Sequence, residues 1–167
     1  MSNFLISSFF LVFTLFLCYL ILWRINTRKY ISSGTVASAY DAWTQDKLLE
    51  RLWGEHIHLG FYPSNKNIDF REAKVQFVHE LVSWSGLDRL PTGSRVLDLG
   101  CGIGGSSRIL ANYYGFNVTG ITISPAQVKR AKELTPYECK CKFKVMDALD
   151  LKFEEGIFDG VWSVEAG

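Results

Sequence analysis

The pattern of hydrophobic and polar positions changes character twice along the chain. Residues 4–23 form a run of 20 positions without a charged side chain. At ~1.5 Å per residue, a helix of that length spans ~30 Å, the thickness of a bilayer's hydrocarbon core. Tyr19 and Trp23 stand near its end, and Arg24, Arg28 and Lys29 follow it. Interfacial aromatics and trailing cations predict a transmembrane anchor over residues 1–24. The cations place the N-terminus outside and the remainder on the cytoplasmic (or stromal) side. A cleaved signal peptide fits less well, because no basic residue precedes the run. Its only small-residue pattern, Ala37-Ser38-Ala39, lies far beyond the apolar stretch.

Residues 25–38 are polar and read as a linker. Helical periodicity starts at 39. Ala42, Leu48, Leu49, Leu52 and Trp53 predict one helix over 39–53, ended by Gly54. An aromatic and histidine-rich loop follows, from Glu55 through His56, Ile57 and His58 to Pro63. The next helix has Asp69 as N-cap, with Glu72 completing a capping box. Phe70, Ala73, Phe77, Leu81 and Trp84 form its apolar stripe, and Gly86 stops it. Residues 39–90 are thus expected to form a helical cap.

From Pro91 onward, short apolar runs alternate with helical segments. Strands are expected at 95–99, 117–121, 142–146 and 158–164, and helices at 104–114 and from Ser124 onward. Ser124 is an N-cap, Pro125 takes the first helical position, and Gln127 is the capping-box partner. Such alternation predicts a parallel α/β sheet over 91–167.

Composition narrows the function classes. Lys and Arg total 18 against 17 Asp and Glu, a net charge of +1. No basic block with interleaved aromatics appears, so no case exists for nucleic acid as a partner. Of the 4 cysteines, Cys139 and Cys141 form a C-x-C without a partner pair. That spacing suits neither a zinc site nor a disulfide framework, and it predicts reduced thiols and no metal.

The chemistry-bearing segment is Val96-Leu97-Asp98-Leu99-Gly100-Cys101-Gly102-Ile103-Gly104-Gly105. It falls at a strand-to-helix turn, the ligand edge of a parallel sheet. Glycines there let the backbone approach a ligand, and the helix N-terminus offers free N–H donors. Gly100, Gly102 and Gly105 also satisfy the dinucleotide fingerprint G-x-G-x-x-G, so a nicotinamide-dependent reductase stays open. Two features favour S-adenosylmethionine (SAM). Asp98 stands two residues before the first glycine, near the cofactor's amino-acid moiety, where dinucleotide sites seldom hold an acid. The second strand ends in Gly120-Ile121-Thr122, without the ribose-binding acid of dinucleotide sites. Asp147-Ala148, just past the third strand, is placed to meet the adenine, whose amino group a carboxylate can accept from. The expected fold is therefore the N-terminal half of a class I SAM methyltransferase, Rossmann-like, with about four parallel strands. A helical cap and a transmembrane helix precede it.

Tyr40-Asp41-Ala42-Trp43, Trp53-Gly54-Glu55-His56-Ile57-His58-Leu59-Gly60-Phe61-Tyr62, VLDLGCGIGGSSR (96–108), GITISPAQVKRA (120–131) and FDGVWSVEAG (158–167) together resemble the tocopherol-pathway methyltransferases of oxygenic phototrophs. The resemblance runs from about Tyr40 to the last residue. It is strongest to the enzymes that C-methylate 2-methyl-6-phytyl-1,4-benzoquinol, with the γ-tocopherol O-methyltransferases as close relatives. It implies SAM contacts at Gly100, Gly102, Gly104, Thr122, Ile123, Gln127, Asp147 and Ala148, with Thr122 and Gln127 replacing the missing ribose acid. Gln127 keeps its helix-capping explanation beside that role. Tyr40 resembles a tyrosine that closes over SAM, and simple packing is its alternative. His56 and His58 are candidate catalytic groups for the quinol hydroxyl, against a purely structural loop role. Glu165 is a third candidate, facing the same pocket, whereas Asp159 is expected to tie the fourth strand to neighbouring backbone.

The resemblance further implies a lipophilic prenylated quinol as substrate and a thylakoid or plasma membrane as location. The complete fold has seven strands, and four are expected here. The chain therefore reads as incomplete at its C-terminal side, and a non-catalytic SAM-binding fragment is the alternative to an enzyme.

Overall fold

The computed structural model describes residues 12–20, 32–64 and 67–166. The chain divides into two units, 1–31 and 32–167. In the first, residues 12–20 are helical, and Val12, Leu15 and Phe16 are more than half exposed. Among the described residues no helix is long and apolar enough to cross a membrane. The other residues of the expected span, 4–11 and 21–23, lie outside the described residues.

The second unit opens with helices α1 (Ser33–Asp46) and α2 (Leu48–Trp53), where the periodicity predicts one helix starting at 39. The break is at Lys47, which has left-handed backbone (φ 56°). Asp46 causes it locally: its Oδ1 accepts from the Leu48 amide at 2.8 Å, offering the backbone a partner outside the helical ladder. The helix also begins six residues earlier than expected, inside the stretch that reads as a linker.

Helix α3 (Phe70–Ser85) has the Asp69 N-cap and Gly86 stop its sequence predicts, while the Glu72 half of the expected capping box is not among the hydrogen bonds of the described residues. Asp69 Oδ1 accepts from the amides of Arg71 and Glu72, and Gly86 takes the left-handed position after it (φ 73°). Its buried stripe differs from the expected one. Ala73, Lys74, Val78 and Val82 are buried, while Trp84 is 84% exposed and Phe70 43%. At Ala73, which belongs to both stripes, the approach is close: the Phe61 amide donates to the Ala73 carbonyl at 2.8 Å, and a Cβ on Gly60 would lie 2.7 Å from that of Ala73. Only a small side chain lets the aromatic loop cross there.

A single turn (Leu87–Arg89) leads to β1 (Arg95–Leu99), α4 (Gly105–Tyr114), β2 (Asn117–Thr122), α5 (Pro125–Leu134), β3 (Cys141–Val145) and β4 (Gly160–Ser163). The strands are parallel in the order β3-β2-β1-β4. The expected alternation therefore holds, with strand ends within two residues of the expected ones. Asp159 accepts from the Arg95 amide at 2.7 Å and ties β4 to β1, as its sequence position suggests.

Cross-strand register puts Val96, Asp98, Val118, Gly120, Phe143 and Trp162 on one face. Helices α3, α4 and α5 cover that face: Val78, Val82, Leu110 and Phe116 pack with Val96, Val118 and Trp162, and Val128 and Ala131 pack with Phe143. Full burial of such side chains contributes about 1.5–3 kcal/mol each. The opposite face is mixed. Leu97 and Ile121 are buried there, but Lys142, Lys144, Val161 and Ser163 are exposed.

Candidate cofactor and acceptor site

The order β3-β2-β1-β4 reverses direction between β1 and β4, so the crevice beyond their carboxyl ends is the topological switch point where parallel sheets bind ligands. The glycine loop sits there. Gly100, Gly102 and Gly104 have φ of 72°, 54° and 83°, a conformation L-residues rarely adopt. A Cβ on Gly102 would have no atom within 4 Å, so the loop leaves room beside it. On Gly100, by contrast, it would collide with Ala166, so the chain leaving β4 crosses directly over the loop.

Asp98 lies beneath the loop, 3% exposed, with Ser107 Oγ donating to its Oδ2. Burial raises its carboxyl to about 7, and the Ser107 hydroxyl only partly offsets this. A cation placed nearby would hold it ionised.

Thr122, at the end of β2, donates from Oγ1 to Gln127 Oε1 at 2.6 Å. The capping box expected at α5 is therefore half made. Ser124 Oγ accepts from the Gln127 amide at 3.1 Å, but the Gln127 side chain turns to Thr122 instead of the Ser124 amide. Thr122 and Gln127 form one polar pair at the position of the ribose acid. Ile123 is partly buried between Thr122 and the cap. Asp147 closes a local turn, accepting from the Leu149 amide at 2.9 Å, and Ala148 beside it is exposed.

The histidine loop packs onto this edge. A Cβ on Gly105 would lie 2.8 Å from both the Glu55 carbonyl and His56 Cε1, so α4 begins directly under that loop. His56 Nδ1 and His58 Nε2 are 3.1 Å apart, and His58 Nδ1 is 2.7 Å from the Leu59 carbonyl. Burial pushes both imidazoles down, His56 to about 4, with His58, Arg108 and Lys74 adding to the effect on His56. Glu165 Oε1 accepts from the Leu59 amide at 3.2 Å, so the three candidate catalytic residues share one network. Tyr40 stands apart from it on α1, its ring edge-on to Trp43 at 5.5 Å.

Long-range pairs invisible to local pattern hold this arrangement. Asp41 Oδ1 accepts from the Ser124 hydroxyl and from the Ala126 amide at 3.0 Å, docking α1 on the start of α5. Glu50 pairs with Arg130 through both carboxylate oxygens, at 2.7 and 2.8 Å. Arg108 reaches Glu55 at 2.6 Å and the Ile103 carbonyl at 2.9 Å. Lys74, 4% exposed, donates from its ammonium to the carbonyls of Trp53 and His56 at 3.0 and 2.8 Å. A cavity of 480 Å³ opens beside Trp53, Glu55, His56 and Lys74. The C-x-C thiols are 3.4 Å apart and unlinked, and no cluster of potential metal ligands occurs among the described residues.

These polar groups suit SAM. Asp98 can balance its cationic amino-acid end, Thr122 and Gln127 can meet ribose hydroxyls, and the Asp147 carboxylate can accept from adenine. Residues 96–166 match the family of methyltransferase domains, and this α/β part of the chain belongs to it, with the class I SAM methyltransferase fold. More particularly, the chain is similar to 2-methyl-6-phytyl-1,4-hydroquinone methyltransferase of Synechocystis sp. They are 61% identical over 87% of this chain and 46% of that protein. It is also 41% identical to the chloroplastic tocopherol O-methyltransferase of Arabidopsis thaliana, over 72% of this chain and 38% of that one. Among solved structures it resembles the [4+2]-cyclase SpnF, with a TM-score of 0.69 and 26% identity, over 78% of this chain and 48% of the other. The chain thus spans less than half the length of these curated relatives.

Proposed function

We propose that this protein transfers the SAM methyl group to a prenylated benzoquinol, at a ring carbon of 2-methyl-6-phytyl-1,4-benzoquinol. The supporting observation is the convergence, at one switch point, of a SAM-type glycine loop and the His56–His58–Glu165 network. A sulfonium methyl is already electrophilic, so the site mainly supplies alignment. The ring carbon attacks the methyl carbon as the C–S bond breaks, its electron pair staying on sulfur. The ring proton then leaves. Polarising the quinol hydroxyl makes the ring a better nucleophile, the role we give the histidine loop, with Glu165 holding its backbone. Tyr40, Gly100, Gly102, Gly104, Ile123 and Ala148 line the cofactor's side in this reading.

Fold alone does not choose the reaction, since a cyclase shares it. The 61% relative favours C-methylation, and the O-methyltransferase relative supplies the second reading. Equilibrium dialysis of the 167-residue chain should retain SAM and not NAD, and failure to retain SAM overturns the proposal. With trideuteromethyl SAM and the quinol, mass spectrometry should place the label on a ring carbon. Label on oxygen selects the second reading.

We further propose that residues 4–23 anchor the protein in a thylakoid or plasma membrane, N-terminus outside and the methyltransferase domain on the cytoplasmic (or stromal) side. The charge-free run and the lipophilic substrate support this. The full chain should float with liposomes and a chain starting at Ser32 should not. Equal flotation of the two would refute it.

A further inference from the structure

We infer that Nε2 of His56 is a fixed hydrogen-bond acceptor for a neutral hydroxyl of the methyl acceptor, set in that state by His58. The proposed function enters only in naming that hydroxyl's owner. A neutral imidazole has one N–H and one lone pair. The Leu59 carbonyl can only accept, so the His58 nitrogen 2.7 Å from it, Nδ1, carries the proton. His58 Nε2 is then a lone pair. The nitrogen 3.1 Å from it, His56 Nδ1, must be the donor. His56 Nε2 is left as a lone pair, and it has no hydrogen-bond partner among the described residues.

Both rings are uncharged near neutrality, since burial depresses both, His56 to about 4. The groups that face His56 work in the same direction. Arg108 from α4, Lys74 from α3 and His58 from its own loop all disfavour an imidazolium, while Glu55 is engaged by Arg108. Glu165, after β4, acts on His58.

The surroundings select the ligand group. His56 lines the 480 Å³ cavity, and the Cε1–Nδ1 edge of its ring lies over Gly105, so the ring stands between cavity and glycine loop. A carboxylate has no proton to give to a lone pair. A cationic donor is repelled by Arg108 and Lys74. A neutral donor fits the site, and the O–H of a quinol is one. The bond polarises that hydroxyl without a full proton transfer, which suits a neutral imidazole that burial makes a weak base. His58 is a positioning residue in this scheme, acting only through the tautomer of His56.

The test is histidine 15N NMR on the full 167-residue chain in detergent. Both His56 and His58 should show the Nδ1–H pattern at pH about 7, and His56 should stay uncharged down to pH about 5. In His58→Phe, His56 should lose its enforced tautomer and gain Nε2–H. Hydroquinone should shift the His56 Nε2 resonance of the native chain, and hydroquinone dimethyl ether, which lacks the O–H, should not. An Nε2–H pattern on His56 in the native chain overturns the inference. So do equal shifts with quinol and ether. SAM dialysis on the same samples separates the two readings: lost SAM binding with the tautomers intact refutes the methyltransferase reading, and retained SAM binding with the wrong tautomer refutes only the relay.

Discussion

Asp98 stores a pH-dependent cost that can be measured. Its carboxyl is about 7 in the fold against ~3.9 in an unfolded chain. Between about pH 4 and about pH 7 the native state therefore holds more proton than the unfolded one, and stability falls as pH rises. Three units correspond to about 4 kcal/mol, reached once Asp98 is ionised. Asp98→Asn keeps the shape and an acceptor for Ser107 but removes the charge. The variant should gain little at pH about 4 and up to about 4 kcal/mol above pH about 7. At ~3 °C per kcal/mol for a domain of this size, that is roughly 10 °C in Tm. The native chain alone is a poor witness. His56, depressed to about 4, loses stability as pH falls below ~6.5, so its slope opposes that of Asp98 over part of the window. The quantity to follow is the Tm difference between variant and native chain at each pH, by circular dichroism. A difference that does not change with pH refutes the reasoning. The same variant should bind SAM more weakly if Asp98 balances the cofactor's charge.

Three further outcomes are expected. Asp41→Ala removes the acceptor for Ser124 and Ala126 at the start of α5, which should cost about 1 kcal/mol in urea unfolding and weaken SAM retention in dialysis. Gly105→Ala drives a Cβ to 2.8 Å from a backbone carbonyl that cannot easily yield, for a loss of about 1–3 kcal/mol, while Gly34→Ala, with only Ser32 Oγ at 3.5 Å, should be neutral or stabilising by thermal melting. Lys74→Met keeps the buried stem but drops two charge-assisted bonds to the Trp53 and His56 carbonyls, so amide exchange across 54–60 should quicken and about 2 kcal/mol should be lost.

What local pattern can convey explains which features were legible beforehand. The Asp69 cap, the Gly86 stop, strand β1 and the tie from Asp159 to Arg95 each depend on residues close in sequence or on strand register, and all four appear where expected. The glycine loop belongs with them, because positive φ at Gly100, Gly102 and Gly104 demands that residue type. The rest depends on distance. The break at Lys47 leaves the apolar spacing of Leu48, Leu49 and Leu52 undisturbed, so periodicity runs through it. The α3 stripe shifts from Phe77, Leu81 and Trp84 to Lys74, Val78 and Val82, and the carbonyls that hold Lys74, those of Trp53 and His56, lie 21 and 18 positions away. Asp41 and Ser124 are 83 positions apart, and Glu50 and Arg130 are 80. No window of sequence contains either pair. Those two contacts, with Arg108–Glu55, bring the helical cap and its histidines onto the cofactor edge, so the residues that assemble the site are less visible in sequence than the residues that would do its chemistry.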